Sequence, residues 1–218
     1  MEPTVYNDVR SAIYSTTIDL CLPVFEWARF RKHKGGIKLH TLYDIEAEVP
    51  AFVHVTPSNI HDSKAMPETP YESGAHYIFD CGYNDFSNLH TTNRIGAFFV
   101  VRTKTNIRIK PKTWKRRLPE GVVSDAIGCL TAYKSSKDYP GEFRKLIVEN
   151  PEDGTQYIFL TNNLDASAEL ISSLYRNRWS VELFFKRIKQ HLSDLFDKSN
   201  FKNVKDRYDS SKPNLFNF

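Results

Sequence analysis

One stretch decides the fold prediction for this chain: Tyr175-Arg176-Asn177-Arg178-Trp179-Ser180-Val181-Glu182-Leu183-Phe184-Phe185-Lys186-Arg187-Ile188-Lys189. Four of its side chains, Tyr175, Arg178, Glu182 and Lys189, stand at i, i+3, i+7 and i+14. At about 100° per residue, these positions fall within roughly 60° of one another around a helix. An apolar stripe of helical period runs beside them: Leu170, Leu174, Val181, Phe185, Ile188 and Leu192. The pattern predicts a helix that buries the stripe and presents a phenol, two cations and a carboxylate along its edge.

Two interpretations of this helix follow from its own residues. It could be an ordinary amphipathic surface helix, because Arg178–Glu182 and Glu182–Lys186 are i,i+4 ion pairs worth only a few tenths of a kcal/mol each. Charged runs on helices usually face solvent. Alternatively, a carboxylate beside two cations and a phenol could hold a metal ion and a phosphodiester. The residues around this helix favour the second interpretation.

That neighbouring sequence resembles a known family. The spacing Tyr-x2-Arg-x3-Glu-x6-Lys follows Leu160-Thr161-Asn162-Asn163 and contains Arg178-Trp179 and Glu182-Leu183-Phe184-Phe185-Lys186. It resembles the Tyr-Arg-Glu-Lys motif of bacterial insertion-sequence transposases of the DDE type, whose catalytic core is ribonuclease H-like. The resemblance covers about residues 10–192. It implies that Glu182 is the third metal-binding carboxylate and that Tyr175, Arg178 and Lys189 help to hold DNA.

A second carboxylate is indicated by Asp80-Cys81-Gly82-Tyr83, which resembles the family's Asp-x-Gly-Tyr pattern, although Cys81 stands where the family often has a basic residue. A two-metal phosphoryl-transfer site needs carboxylates from separate elements that hold two ions about 3.5–4 Å apart. Mg²⁺ prefers oxygen ligands. The resemblance therefore implies that Asp80 and Glu182 bind Mg²⁺.

The first carboxylate is missing. The stretch Ala12-Ile13-Tyr14-Ser15-Thr16-Thr17-Ile18-Asp19-Leu20 resembles the family's first-strand motif, but the family's aspartate falls at Tyr14. A phenol has a pKa near 10, is neutral at pH 7 and is bulkier than a carboxylate. Asp19 is no obvious substitute, because a side chain five residues along a regular strand points to the opposite face. The sequence therefore predicts impaired chemistry at an otherwise matching site.

The order of predicted elements defines the fold class. Alternating or β-branched runs at 11–20, 37–43 and 49–55 predict three strands, the last two forming an antiparallel hairpin. Asn59–Lys64 predicts a helix start with Asp62 as the N-cap. Strands at 75–79 and 95–102 flank a helix that ends near Thr92. The order β-β-β-α-β-α-β, completed by the helix around Glu182, predicts an α/β fold with a ribonuclease H-like mixed sheet flanked by helices.

Turn residues and composition predict the domain organisation. Residues 10–102 form the first part of the core. Residues 103–161 form a β-rich insertion, with short strands separated by Pro and Gly turns. Residues 162–192 complete the core with the catalytic helix, which Ser167 caps. Residues 193–218 are polar and aperiodic and predict a disordered tail. Both flanks look truncated compared with the resembling family.

A basic run predicts a DNA-binding surface. From 102 to 117 there are eight cations, one tryptophan and no acidic residue: Arg102, Lys104, Arg108, Lys110, Lys112, Trp114, Lys115, Arg116 and Arg117. Lys and Arg that meet phosphates contribute salt-dependent affinity, and an aromatic ring can stack on an unpaired base. The alternative is a solvated basic loop.

Bulk composition excludes some other classes. The 218 residues, 40% hydrophobic with a net charge of +4 and a pI of about 8.8, suit a globular protein and permit nucleic-acid binding without requiring it. Three scattered cysteines suggest neither a disulfide framework nor a zinc site. Ala97–Val101 is the longest strongly apolar run, too short for a bilayer, and Met1–Thr4 lacks a signal-peptide pattern. A soluble, cytoplasmic protein is predicted.

Three functional hypotheses remain at this point. The chain is a cut-and-paste DNA transposase that nicks element ends and joins the 3′-hydroxyl to target DNA with Mg²⁺. Alternatively, it is a folded DNA-binding transposase remnant that is catalytically silent because of Tyr14, or an unrelated basic globular protein with a chance match. Either transposase hypothesis implies double-stranded DNA as partner, a bacterial nucleoid-associated location and a possible homodimer on DNA.

Overall fold

The computed structural model of the chain describes residues 10–20, 29–31 and 34–195. These ranges contain β1 (Arg10–Leu20), β2 (Arg29–Arg31), β3 (Lys34–Asp44), β4 (Val49–Pro57), β5 (His76–Phe79), α1 (Phe86–Arg94), β6 (Phe98–Thr103), β7 (Ile109–Trp114), β8 (Val122–Leu130), α2 (Tyr133–Asp138), β9 (Phe143–Glu149), β10 (Gln156–Thr161) and α3 (Ala168–Leu195). Short 3₁₀ helices occupy Asp62–Glu68 and Cys81–Tyr83. The chain divides into two compact units, Met1–Val181 and Glu182–Phe218, and the boundary lies inside α3.

The strands of the first unit form one mixed sheet. Within the described residues its order is β2-β3-β1-β5-β6-β10-β9-β8-β7, and β4 also pairs with β3. The central pairs β1–β5 and β5–β6 are parallel, whereas the other pairs are antiparallel. This large mixed sheet with flanking helices confirms the predicted α/β, ribonuclease H-like fold class.

The hairpin of β3 and β4 forms as its alternating pattern predicts. Residues 37–44 pair with 49–57 around a turn in which Asp44 Oδ1 accepts the backbone N–H groups of Glu46 and Ala47, both at 2.9 Å. Glu48 closes the turn with φ 55°, an uncommon conformation for a residue other than glycine. β1 pairs with β3 in unbroken register from Ser11 to Leu20. No bulge therefore changes the strand alternation between positions 14 and 19.

Two apolar layers cover the sheet. On one face, the buried rings of Tyr77, Phe79 and Phe99 pack in a core cluster with Leu89 of α1 and Met66. Replacing a buried Phe by Ala in such a core costs about 3–5 kcal/mol. On the other face, the first half of α3 buries Ile171, Leu174 and Val181. The ring of Tyr175 lies 4.7 Å from that of Phe159 in β10.

The strands predicted for residues 103–161 extend the same sheet. β10 pairs antiparallel with β6, and β9, β8 and β7 follow in order. The sequence patterns predict strands at 106–110, 121–131, 144–149 and 156–161, and each overlaps one of these four strands. They did not predict the short helix α2. The boundaries 10–102, 103–161 and 162–192 stay predictions.

Helix ends show where local chemistry was correctly and wrongly interpreted. Ser167 Oγ accepts the N–H of Leu170 at 3.1 Å, as predicted for a cap. The prediction that Asp62 caps its helix is wrong, because His61 Nδ1 accepts the N–H of Ser63 and Asp62 makes a tertiary contact instead. α3 continues to Leu195, three residues into the segment 193–218 predicted to be disordered; residues 196–218 lie outside the described residues.

None of the described helices combines the length and the apolar composition that a membrane crossing requires.

Candidate active site around Asp80

Asp80 stands at the carboxyl end of β5, beside the start of the chain. In the parallel pairing of β1 and β5, Ala12 is opposite Ile78. The same parallel alignment, extended by two residues along both segments, would put the position of Tyr14 beside that of Asp80. Parallel neighbours share a face of the sheet, so the residue in the place of the family's first carboxylate is a neighbour of the second carboxylate.

Arg102 occupies the corresponding position on the other side of Asp80. Phe79 pairs with Val101 in β6, so the next position along β6 is Arg102. The Arg102 guanidinium carbon lies 5.1 Å from the centre of the Tyr157 ring, within the range of a cation–π contact. Asn84 Nδ2 donates to the Arg102 carbonyl at 2.8 Å and to the Cys81 carbonyl at 3.1 Å. These bonds tie the turn after Asp80 to β6.

The helix α3 brings two of its predicted residues to this carboxylate. The Tyr175 hydroxyl donates to Asp80 Oδ1 at 3.2 Å, and Arg178 Nη1 lies 4.0 Å from Asp80 Oδ2. Arg178 stacks over Tyr175, with its guanidinium carbon 5.2 Å from the ring centre. Its side chain is 8% exposed, whereas that of Asp80 is 41% exposed. The i,i+3 spacing thus places both side chains on one carboxylate that remains open to solvent.

The environment keeps the Tyr175 phenol protonated. Burial, together with the nearby Asp80 carboxylate, raises the pKa of Tyr175 to about 12, although the cations Arg178 and Arg102 act in the opposite direction. At neutral pH the hydroxyl is therefore a hydrogen-bond donor to Asp80 rather than a phenolate that would repel it.

Glu182 and Lys189 lie farther along α3, in the unit Glu182–Phe218. Glu182 is partly buried and Lys189 is exposed. Within this unit the rings of Phe184 and Phe185 meet edge to face, with centroids 5.3 Å apart. A joint site of Glu182 and Asp80 stays a prediction.

The side chains around Asp80 decide whether a metal ion would fit at this position. In the parts of the chain that the structure describes, no three His, Cys, Asp or Glu side chains are grouped so that they could hold a metal ion. Asp80 has the Tyr175 phenol and the Arg178 guanidinium as partners, and the β1–β5 register puts Tyr14 rather than a carboxylate at the neighbouring strand position. With Tyr14 at the first position, the chain offers one carboxylate fewer than the two-metal arrangement that the family resemblance implies.

The basic run is not a uniform surface. Lys112 Nζ lies 2.7 Å from Glu142 Oε1, so the tertiary structure adds an acid that the run itself lacks. Lys115 Nζ donates to the Leu164 carbonyl at 3.4 Å, just before α3. Arg102 belongs to the surroundings of Asp80. The remaining predicted residues are exposed, Trp114 with 60% of its surface: Lys104, Arg108, Lys110, Trp114, Arg116 and Arg117.

Sequence reasoning missed the residues that anchor the start of α3. Arg144 donates from Nε and Nη2 to the two carboxylate oxygens of Asp125, at 2.8 and 2.7 Å, and from Nη1 to the Ala166 carbonyl. Asn163 Oδ1 accepts the Ala166 N–H at 2.9 Å, and its Nδ2 lies 3.2 Å from His76 Nε2. Asn163 lies in the quoted motif, but Arg144 and Asp125 have no local signal because they come from different strands.

Comparisons with known proteins decide the family. The model of the transposase DDE domain family matches residues 10–205. The chain belongs to this family. The protein of Sinorhizobium fredii named "Putative transposase y4zB" is 36% identical over 171 residues, which are 76% of this chain and 48% of that protein. The Geobacillus stearothermophilus protein named "Probable transposase for insertion sequence element IS5377" is 28% identical over 181 residues, 82% of this chain and 47% of that protein.

Membership in the transposase DDE family confirms the resemblance carried by the Tyr-Arg-Glu-Lys spacing. The chain spans about half the length of these two relatives.

Proposed function

We propose that this chain is the catalytic domain of an insertion-sequence DNA transposase for cut-and-paste transposition, and that Tyr14 impairs its phosphoryl-transfer chemistry. The observation that carries the proposal is the convergence of Tyr175 and Arg178 on Asp80. Tyr175 and Asp80 are 95 positions apart within the matched region 10–205, and this convergence supports a shared site.

The exposure of Asp80 supports a ligand-binding role for this convergence. A carboxylate that serves architecture is usually buried and fully hydrogen-bonded, whereas 41% of the Asp80 side chain is accessible. The buried Arg178 guanidinium supplies positive charge beside it. An anionic phosphodiester could approach the pair from the open side, with Arg102 flanking the other edge of the strand.

The proposed impairment rests on the position of Tyr14. Mg²⁺ chemistry in this family would use carboxylate ligands, of which Asp80 and Glu182 are the proposed members here. A neutral phenol beside Asp80 offers no negative charge to a divalent cation. We therefore expect weak or absent DNA cleavage by the unmutated chain.

Restoration of the missing carboxylate tests this proposal. Purified wild-type and Tyr14→Asp chains would be incubated with duplex DNA and Mg²⁺ or Mn²⁺, and strand cleavage would be measured on denaturing gels. We expect cleavage by Tyr14→Asp only, and its loss in Tyr14→Asp/Asp80→Ala. Efficient cleavage by the wild-type chain that Asp80→Ala abolishes would contradict the impairment.

The same Tyr14 observation favours a second candidate, a catalytically inactive transposase remnant that still binds DNA. In that case, Tyr14→Asp would bind duplex DNA without cleaving it. Binding would be measured by fluorescence anisotropy at two salt concentrations. We expect charge reversal at Arg116 and Arg117 to weaken binding and to reduce its salt dependence. The reason is that fewer counterions are released on binding when fewer phosphates are contacted. No change in either quantity would contradict DNA binding by the basic run.

The proposal extends to assembly and location. A DNA-bound homodimer in the bacterial cytoplasm, associated with the nucleoid, would present two sites to two element ends. Light scattering with and without duplex DNA measures this assembly, and a mass that stays monomeric on DNA would contradict it.

A further inference from the structure

We propose that Asp62 is a positioning residue, which fixes the turn that carries Asp80. Asp62 lies at the start of a 3₁₀ helix, 18 positions before Asp80 in the printed sequence. It does not cap that helix, because His61 accepts the Ser63 N–H. Its carboxylate is therefore directed to tertiary contacts, and both of them lie at the Asp80 end of the sheet. The catalytic consequence of this inference rests on the proposed function.

The first contact is an ion pair with β3. Lys38 Nζ donates to Asp62 Oδ1 at 2.9 Å and to the Ile60 carbonyl at 2.7 Å, and the two charged side chains are only 15% and 25% exposed. Lys38 is opposite Thr17 in β1, three positions beyond Tyr14. Because β1 runs parallel to β5, this pair lies at the end of the sheet where Asp80 follows β5. Asp62 thereby connects the 3₁₀ helix to the strands beside the candidate site.

The second contact is with the backbone of the turn after Asp80. A Cβ atom added to Gly82 would lie 2.8 Å from Asp62 Oδ2, closer than real Cβ atoms come to other heavy atoms. The carboxylate therefore lies against Gly82, and a side chain at this position would have to displace the Asp62 carboxylate. The N–H of Tyr83 donates to the Asp80 carbonyl at 3.0 Å, so Gly82 lies inside the hydrogen-bonded turn that starts at Asp80.

These contacts give Asp62 a defined mechanical effect. Its Oδ1 is held by Lys38, and its Oδ2 limits how far the Gly82 backbone can move toward β3. Asn88 of α1 donates to the Ser63 carbonyl at 2.9 Å, which fixes the 3₁₀ helix from its other side. Without the Asp62 carboxylate, the turn loses its packing contact at Gly82. The Asp80 carboxylate would then also occupy positions away from Tyr175 and Arg178.

Thiol labelling measures this effect directly. Cys81 lies in the turn, one residue after Asp80, and Cys129 lies in β8; both are free and partly exposed. Labelling rates of each thiol would be followed by mass spectrometry in wild type, Asp62→Asn, Asp62→Ala and the control Glu68→Gln, an exposed acid in the same 3₁₀ helix. We expect Asp62→Ala to raise the Cys81 rate about tenfold through local opening, Asp62→Asn to raise it less, and Cys129 to stay unchanged. Equal increases at Cys81 and Cys129, or no increase at Cys81, would overturn the inference.

A double-mutant cycle tests the contact with Gly82. Gly82→Ala alone should raise the Cys81 labelling rate, because its methyl group collides with the carboxylate. In Asp62→Ala the same change should have little further effect, because the methyl group enters the vacated space. Additive effects would contradict direct contact. If Asp62→Ala fails to fold, Asp62→Asn and Lys38→Met, compared with Lys64→Met, answer the same question.

Catalysis provides the second readout. In the Tyr14→Asp background, Asp62→Ala should lower kcat for DNA cleavage about tenfold or more, because misplacement of a reacting group reduces rate. KM for DNA should stay unchanged, and Asp62→Asn should recover part of kcat. A normal kcat would overturn the positioning role. If Tyr14→Asp itself is inactive, the proposed function has failed, whereas thiol labelling still decides whether Asp62 fixes the turn.

Discussion

Two arginine–aspartate pairs in this molecule differ in nearly every physical respect. Arg144 and Asp125, in neighbouring strands β9 and β8, meet through two hydrogen bonds of 2.8 and 2.7 Å with side chains 1% and 3% exposed. Arg178 approaches Asp80 through a single 4.0 Å contact, and the Asp80 side chain is 41% exposed. The first pair is closed to any further partner, whereas the second leaves a carboxylate edge accessible.

The difference suits a structural role for the Arg144–Asp125 pair and a ligand-binding role for the pair at Asp80. The third donor of Arg144 binds the Ala166 carbonyl just before α3, so this arginine fixes the direction from which the helix starts. Tyr175 and Arg178 then reach Asp80 from the helix itself. A buried pair in which all three guanidinium nitrogens are hydrogen-bonded cannot exchange partners without a large penalty. The pair at Asp80 can, and a site that binds a ligand must be able to do so.

Breaking the closed pair should have the largest effect. Arg144→Met leaves Asp125 buried without its cation and should lower the free energy of unfolding by about 3–5 kcal/mol, measured by urea denaturation. Arg108→Met, at an exposed cation in the same part of the chain, should change it by less than about 0.5 kcal/mol. The double variant Arg144→Met/Asp125→Leu should recover part of the loss. A loss below about 1 kcal/mol for Arg144→Met would show that the pair is not structural.

A buried histidine sharpens the comparison, because the hydrogen-bond partner that the structure describes for it is a hydroxyl rather than a carboxylate. His40 is 3% exposed, and its Nε2 lies 2.9 Å from Thr56 Oγ1. Burial is the main cause that lowers its pKa from 6.5 to about 4; Lys38 and His54 act in the same direction, against Asp62. Between these two values only the unfolded chain binds the proton, so stability present above pH 6.5 should fall by up to about 3 kcal/mol as the pH approaches 4. In His40→Gln this component of the pH dependence should disappear; an unchanged slope of stability against pH would contradict the assignment.

The open pair should respond weakly. Tyr175→Phe removes one hydrogen bond to a half-exposed carboxylate and should lower the free energy of unfolding by about 1 kcal/mol. Circular dichroism during urea denaturation measures this value, and Ser172→Ala, which removes a hydroxyl within the same helix, provides a reference. A loss as large as that of Arg144→Met would mean that the Asp80 surroundings serve architecture as well.

The smallest effect is expected for a cation that already has a partner. Glu142 neutralises Lys112. Lys112→Met should therefore leave the salt dependence of DNA binding nearly unchanged, whereas Lys110→Met should reduce the logarithmic slope by about 1. Fluorescence anisotropy at several salt concentrations distinguishes the two. A larger effect at Lys112 would show that DNA displaces Glu142.

Individual residues show which structural features a local sequence pattern can predict. The helical period of α3 and the alternation of β3 and β4 were visible in the sequence, because backbone geometry repeats within two to four residues. Ser167 was recognised as a cap for the same reason. Asp62 looked like a cap by residue type, but His61 took that role, because a partner from β3 competed for the Asp62 carboxylate.

The sequence by itself determined the family, the order of the strands and helices other than β2 and α2, and the residue types that could meet at the candidate site. Only the tertiary structure decided which of them do meet: Tyr175 with Asp80 across 95 positions, Lys112 with Glu142 across 30, and Arg144 with Asp125 across 19. The spacing of residues along a helix or strand is a property of the local backbone. Which oxygen of Asp80 accepts a hydrogen bond, and how much of it stays open to a ligand, depends on how whole elements pack against one another.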